Sequence, residues 1–269
     1  MIKALFFDLD GTLLDSKKKI PPSARDAILA WRRRGAKVFF ASARSPRLDQ
    51  TLGWTGREFD LFDGGIYSNG ASVDFMGKWQ FSYIHPDAVR ACVEAAKAHD
   101  VHLSLHMPGE GYAFNFPVEA CMHASWGLEN ARILPIDEES VNNTVKVLVF
   151  TRHLTDSVDA LPDALLGRIR EQCAALARVY VTDAGRTVQL SSLEAGKTNA
   201  IERIRKALCL QKDEVCVFGD DVNDLEMLSF YPHSVAMGNG CDEVKKAARY
   251  VTLANDADGV AHALKTLIG

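Results

Sequence analysis

Two carboxylates one residue apart, Asp8 and Asp10, follow directly on the apolar run at 4–7, and Asp220 and Asp224 follow another at 215–218. A hydroxyl and a guanidinium, Ser42 and Arg44, stand just after a third apolar run at 37–41, and Lys197 opens a helix-like segment. Carboxylates from separate elements share one place only if their repulsion is neutralised, which a hard divalent cation held by oxygens does; Mg²⁺ fits best. A metal with few carboxylate ligands keeps positions open for water and a substrate phosphate, and a lysine and a serine hydroxyl suit the remaining phosphoryl oxygens. The set suits phosphoryl transfer.

Ligands of an open parallel sheet bind beyond the carboxyl ends of its strands, and these residues sit at such ends. The apolar stretches predict strands at 2–7, 37–41, 65–68, 215–218 and 233–237, the last three leading into Asn69-Gly70, Gly219-Asp220-Asp221 and Gly238-Asn239-Gly240. Between the first two, Ala27, Ile28 and Trp31 recur at helical spacing over 24–34. Arg32, Arg33 and Arg34 then read as a solvated helix end before Gly35, where cations complement the helix dipole and glycine supplies the left-handed cap. Trp31 and the phenylalanines of the first two strands read as packing residues. Alternating strands and helices of this kind imply an α/β fold with a doubly wound parallel sheet.

From about Ser82 to Thr187 the pattern changes. It predicts helices over 86–99 and 161–176, strands at 101–106 and 112–116 about a Pro108-Gly109 turn, and strands at 145–150 and 178–182. The expected division is therefore a core of 1–81 with 188–269 and an inserted α+β cap of 82–187. A chain of 269 residues is long enough for one domain with an insertion or for two domains.

The composition is that of an ordinary globular protein, and a net charge of −4 gives no reason to expect nucleic acid or another polyanion as partner. Cys92, Cys121, Cys173, Cys209, Cys216 and Cys241 show neither paired nor metal-site spacing and are expected to be buried reduced thiols. With no secretory leader and no apolar run near the roughly 20 residues of a membrane span, the expected location is cytoplasmic.

Asp8-Leu9-Asp10-Gly11-Thr12-Leu13-Leu14 resembles the first motif of the haloacid dehalogenase superfamily. Ala41-Ser42-Ala43-Arg44 resembles the second, Glu194-Ala195-Gly196-Lys197 the third, and Gly219-Asp220-Asp221-Val222-Asn223-Asp224 the fourth. Their order, their spacing and the place of the insert are similar to the Cof-type phosphatase branch with a class IIB cap, with Asn69-Gly70-Ala71 and Met237-Gly238-Asn239-Gly240 as subfamily features. The resemblance implies a Rossmann-like core and a Mg²⁺-dependent phosphohydrolase acting on a small phosphorylated metabolite, a sugar phosphate or a phosphorylated cofactor. It implies that Asp8 attacks phosphorus to form an aspartyl-phosphate, while Asp10 protonates the leaving oxygen and then activates water. Asp8, the Asp10 carbonyl and Asp220 would hold the metal; Asp224 belongs to the same group and, with Asn223, supports it. The phosphate-binding set carried over is Gly11, Ser42, Ala43, Arg44, Asn69, Lys197 and Asn223, and Asn69 and Asn239 line the entrance. Where the family usually has Thr-Gly-Arg, this chain has Ser42-Ala43-Arg44, which keeps the hydroxyl and loses backbone freedom.

Other readings compete. Asp8-Leu9-Asp10 alone could be a cap or a solvated turn, Lys197 a surface lysine, and Asn223 with Asp224 a helix cap. Arg44 either contacts substrate or pairs with an acid. A sugar phosphomutase would use the same aspartates, and a non-catalytic phospho-ligand or signalling protein would keep the site without turnover. The insert carries His85, His99, His102, His106, His123 and His153; His102, Ser104 and His106 share a strand face. That face reads as polar rather than as a metal site, since no carboxylate or cysteine stands at ligand spacing, although His102 or His106 would touch substrate if it faced the core.

Overall fold

The computed structural model describes residues 1–119, 123, 126–151 and 160–268. Cys121 and His153 lie outside the described residues. Among the described residues fourteen strands follow one another: β1 (Ala4–Phe7), β2 (Lys37–Ala41), β3 (Gly64–Tyr67), β4 (Ser72–Phe75), β5 (Lys78–Phe81), β6 (His102–Met107), β7 (Gly111–Phe114), β8 (Arg132–Leu134), β9 (Lys146–Phe150), β10 (Ala177–Thr182), β11 (Thr187–Ser192), β12 (Val215–Gly219), β13 (His233–Ala236) and β14 (Tyr250–Val251). They form two sheets in two compact units, one of Met1–Gln80 with Gly196–Gly269, the other of Phe81–Ala195.

The first unit holds eight strands in the order β14-β13-β12-β1-β2-β3-β4-β5, parallel from β14 to β3 and antiparallel at β3–β4. Alternate residues of each central strand go to opposite faces. Leu5, Phe7, Val38, Phe40, Cys216 and Phe218 pack in one cluster; Ala4, Phe6, Phe39, Ala41, Val215 and Val217 pack in the other. The first cluster includes Ala24, Ala27, Ile28 and Trp31 of the helix Pro22–Arg33 and Val260, Ala261, Ala263 and Leu264 of the helix Gly259–Thr266. Trp31 also donates from Nε1 to the Leu264 carbonyl at 3.0 Å. The second cluster takes Ala200, Ile201 and Ile204 of the helix Lys197–Ala207 and Met227 and Leu228 of the helix Leu225–Phe230. Each fully buried aromatic or aliphatic side chain of this kind contributes about 1.5–3 kcal/mol relative to exposure. This is the doubly wound α/β sheet that the strand pattern predicts.

The second unit holds six strands in the order β10-β11-β9-β6-β7-β8, antiparallel except for β7–β8. One sheet face, with Leu103, Leu105, Val147, Val149, Val188 and Leu190, packs in a cluster with the helices Pro86–Ala98 and Asp163–Cys173. The expected boundary at 187/188 is corrected. Residues Thr187–Ser192 pair with β10 and β9 and so belong to this sheet, and the chain returns to the first unit after Ala195.

Two local expectations also change. Arg32 is not merely solvated: Nη1 donates to the Leu61 carbonyl at 2.6 Å and to Asp63 at 3.3 Å. Gly35 does take the left-handed conformation, with φ +89°. Among the described cysteines Cys92, Cys173 and Cys216 are buried, but Cys209 is exposed and Cys241 half-buried. Among the described residues no helix is long and apolar enough to cross a membrane.

Candidate active site

The register places the site. Phe7 pairs with Phe40 on one side and with Phe218 on the other, so the chain leaves all three central strands at one edge of the sheet. Asp8, Ser42 and Asp220 are the residues that follow.

Asp8 is 5% exposed, its N–H tied to the Phe218 carbonyl at 2.9 Å. Lys197, in the first turn of the helix Lys197–Ala207, is 3% exposed and donates from Nζ to Asp8 Oδ1 and to Asp224 Oδ1, both at 2.6 Å. The other oxygen of Asp224 accepts from the backbone N–H groups of Asp220 and Asp221, at 3.1 and 3.3 Å, which fixes the loop after β12. Asp220 accepts from the Thr12 hydroxyl at 2.8 Å. Gly11, at φ +80°, passes so close that a Cβ there would collide with the Asp220 carboxylate.

The charge balance of this group is uneven. Burial pushes the Asp8 carboxyl well above the usual range; Lys197 opposes it, and Asp224 and Asp220 add to it. Burial likewise raises Asp220 to about 6, against the Thr12 hydrogen bond and with help from Asp224 and Asp221. Lys197 stays protonated, because Asp224 and Asp8 outweigh its own burial. One ammonium thus faces three carboxylates, and ligand oxygens of Asp8, Asp220 and Asp224 lie within 4.8 Å of one another. A buried acidic set short of one or two positive charges fits a divalent cation.

Asp10 has a different environment. Arg44 grips it with two hydrogen bonds, Nε to Oδ2 at 2.6 Å and Nη2 to Oδ1 at 2.7 Å, and Lys18 Nζ reaches Oδ1 at 2.7 Å. Burial would raise its carboxyl, but Arg44 and Lys18 overcome that and hold it below the usual range. Of the two readings of Arg44, the structure displays the ion pair. Ser42, 1% exposed, accepts the Arg44 N–H on Oγ at 3.1 Å and keeps its hydroxyl proton to donate. Asn69, just after β3, donates its N–H to the Ser42 carbonyl at 2.9 Å, so alanine at position 43 does not prevent the loop from closing.

Asn223 donates to Asn69 Oδ1 at 3.3 Å, which brings those two together beside the loop after β12. Asn239 braces the first motif, donating to the Gly11 carbonyl at 2.8 Å and accepting from Asn255 N–H at 2.9 Å. Two contributors are absent from the sequence-derived residue set. Thr12 stands inside the first motif, where a hydroxyl next to a metal-binding loop was the available signal; Lys18 sits in a turn with φ +59° and carried none. Among the described residues no metal-binding group of histidines occurs in the second unit: His85 caps a helix, His102 stacks on Phe116, and His106 shares a hydrogen bond with Ser104.

Comparison with known proteins agrees with this geometry. The profile of the family described as haloacid dehalogenase-like hydrolase matches residues 5–264. YkrA of Bacillus subtilis, a candidate phosphatase, is 31% identical over 98% of this chain and 97% of its own. YitU of the same organism, a 5-amino-6-(5-phospho-D-ribitylamino)uracil phosphatase, is 28% identical over 96% of this chain and 94% of its own. Among solved structures, a hypothetical protein of Geobacillus kaustophilus superposes with a TM-score of 0.79 at 27% identity, covering 100% and 99% of the two chains. A subclass IIB sugar phosphatase of the superfamily superposes at 0.77 and 24% identity over 98% of each, which shows the shared fold. The superfamily generally uses a divalent metal, and the Asp8, Asp220 and Asp224 cluster is compatible with one. This chain belongs to the haloacid dehalogenase-like hydrolase family and is one of its phosphatases.

Proposed function

We propose that the protein hydrolyses phosphoric monoesters of small metabolites, such as sugar phosphates or phosphorylated cofactors, with Mg²⁺ and a covalent intermediate on Asp8. The observation that carries this reading is Lys197 held between Asp8 and Asp224 beside Asp220. Asp8, Asp220 and the main-chain carbonyl of Asp10, with Asp224 supporting, would hold Mg²⁺, which would supply the charge that lets an anionic nucleophile approach an anionic phosphate.

An Asp8 carboxylate oxygen attacks phosphorus, the ester P–O bond breaks, and the departing alkoxide takes a proton from Asp10. Water then gives a proton back to Asp10 and attacks phosphorus, the bond to Asp8 breaks, and inorganic phosphate leaves. Lys197 and the Ser42 hydroxyl balance the charge on the phosphoryl oxygens, with Arg44, Asn69, Asn223 and the backbone at Gly11 and Ala43 completing the phosphate-binding set. Asp10 must leave its ion pairs with Arg44 and Lys18 to serve as acid. The second unit, Phe81–Ala195, selects the substrate.

The test is phosphate release from a panel of metabolite phosphomonoesters and a small aryl phosphate, with Mg²⁺ and with chelator, for the wild type and Asp8→Asn. Release that requires both Mg²⁺ and Asp8 is expected. A folded wild type inert across the panel would overturn the reading.

A further inference from the structure

On the face of the second sheet opposite its helices stands a polar row that the chemistry above does not use. The register aligns Arg178 of β10 with Ser191 of β11, Ser191 with Lys146 of β9, Lys146 with His106 of β6, and His106 with Tyr112 of β7. Directly paired residues of antiparallel strands share a face, so five side chains from five neighbouring strands stand in one line.

Lys146 is the unusual member. It is 8% exposed and has no hydrogen-bond or ion-pair partner among the described residues. Burial lowers its ammonium to about 8, with no acid nearby to oppose the shift. Buried charges are stable when paired, and a lone one signals a missing counter-charge. Its cross-strand neighbour adds a second open position: His106 Nδ1 is enclosed and unpartnered, while Nε2 is shared with Ser104 Oγ at 3.1 Å. Ser191, on the other side of Lys146, is buried. The adjacent row, Tyr180, Gln189, Leu148, Ser104 and Phe114, contains no acid either. The far end of the face is closed upon itself, since His102 stacks on Phe116 at 3.8 Å and Phe150 packs edge-on against both.

We propose that this row is a binding site for an oxoanion, the carboxylate or phosphate group of a small metabolite, held by the Lys146 ammonium with His106 and the hydroxyls of Ser104 and Ser191 as neutral partners. A largely buried cation flanked by uncharged donors suits an oxoanion and repels a metal ion. The oxoanion is that of a separate small metabolite, bound by the second unit alone.

Calorimetric titration of the full chain and of Lys146→Met with succinate in the presence of chelator, independent of turnover, tests the site. Succinate is expected to bind the wild type and to bind the variant at least roughly tenfold more weakly. Lys146→Gln serves if the methionine variant does not fold. A wild type that does not bind succinate, or a folded variant that binds it as tightly as the wild type, overturns the site.

Discussion

Arg44 holds Asp10 in a fork, Nε to Oδ2 at 2.6 Å and Nη2 to Oδ1 at 2.7 Å. Asp10 is thereby kept ionised, while Lys197 bridges Asp8 and Asp224. The two aspartates of the first motif, one residue apart, sit in opposite environments: one raised by burial, the other lowered by cations.

Replacing Arg44 with methionine removes a guanidinium that, once Asp10 leaves it, serves the phosphate-binding set, and kcat/KM on an aryl phosphate is expected to fall roughly 10–100-fold. Lys18 makes a single, more exposed contact with the same carboxylate, so Lys18→Met is expected to cost about threefold or less. Steady-state kinetics of the two variants side by side check this; equal losses would contradict it.

Lys197→Met leaves Asp8 and Asp224 buried without their ammonium. Loss of one partner from a buried charge set costs on the order of 3 kcal/mol, so the urea midpoint of the first unit should drop. Activity should fall by about 1000-fold or more, since the same ammonium balances the charge that develops in the transition state. An active variant of unchanged stability would show that the bridge is incidental.

Gly11→Ala adds a methyl where the backbone has positive φ and the Asp220 carboxylate already fills the space. Asp220 must move, and calorimetry with Mg²⁺ should show an affinity lower by roughly tenfold or more while circular dichroism shows the fold retained. Undiminished Mg²⁺ affinity would remove Asp220 from the metal group.

Burial, with Lys146 beside it, lowers the His106 imidazole from 6.5 to about 3. The unfolded chain takes up this proton near 6.5 and the folded chain does not, so the contribution to stability is full above 6.5 and drains as pH falls toward 3. By pH 5 the loss reaches about 2 kcal/mol. Denaturant midpoints of the wild type and His106→Gln at pH 7 and pH 5 should therefore diverge, with the variant losing less on acidification. Parallel losses would contradict the buried neutral histidine.

Much of the site was legible because its residues lie immediately after apolar strands, where local sequence alone dictates position. Asp8, Ser42 and Asp220 needed only the parallel register of β1, β2 and β12 to meet. What escaped depends on pairing between distant segments. Residues 188–192 read as the return to the core because the turn at 183–186 resembles a boundary, yet their cross-strand partners are β10 and β9. Arg32 in a run of three arginines looks solvated until the chain brings Asp63 to it. The β4 and β5 strands, with Met76-Gly77 at positive φ between them, carry too little apolar alternation to stand out. Lys146 in an ordinary strand reveals nothing until β6 and β11 place His106 and Ser191 beside it.

The central claim is that Asp8 becomes covalently phosphorylated. Asp10→Asn retains the nucleophile and slows hydrolysis of the intermediate, so mass spectrometry of that variant, acid-quenched during exposure to an aryl phosphate and Mg²⁺, reads the claim most directly. A phosphoryl group is expected on the peptide that contains Asp8, absent when Asp8 is also replaced by Asn. Phosphate release by the wild type with no adduct in this variant, and with Asp8→Asn retaining full activity, would contradict it.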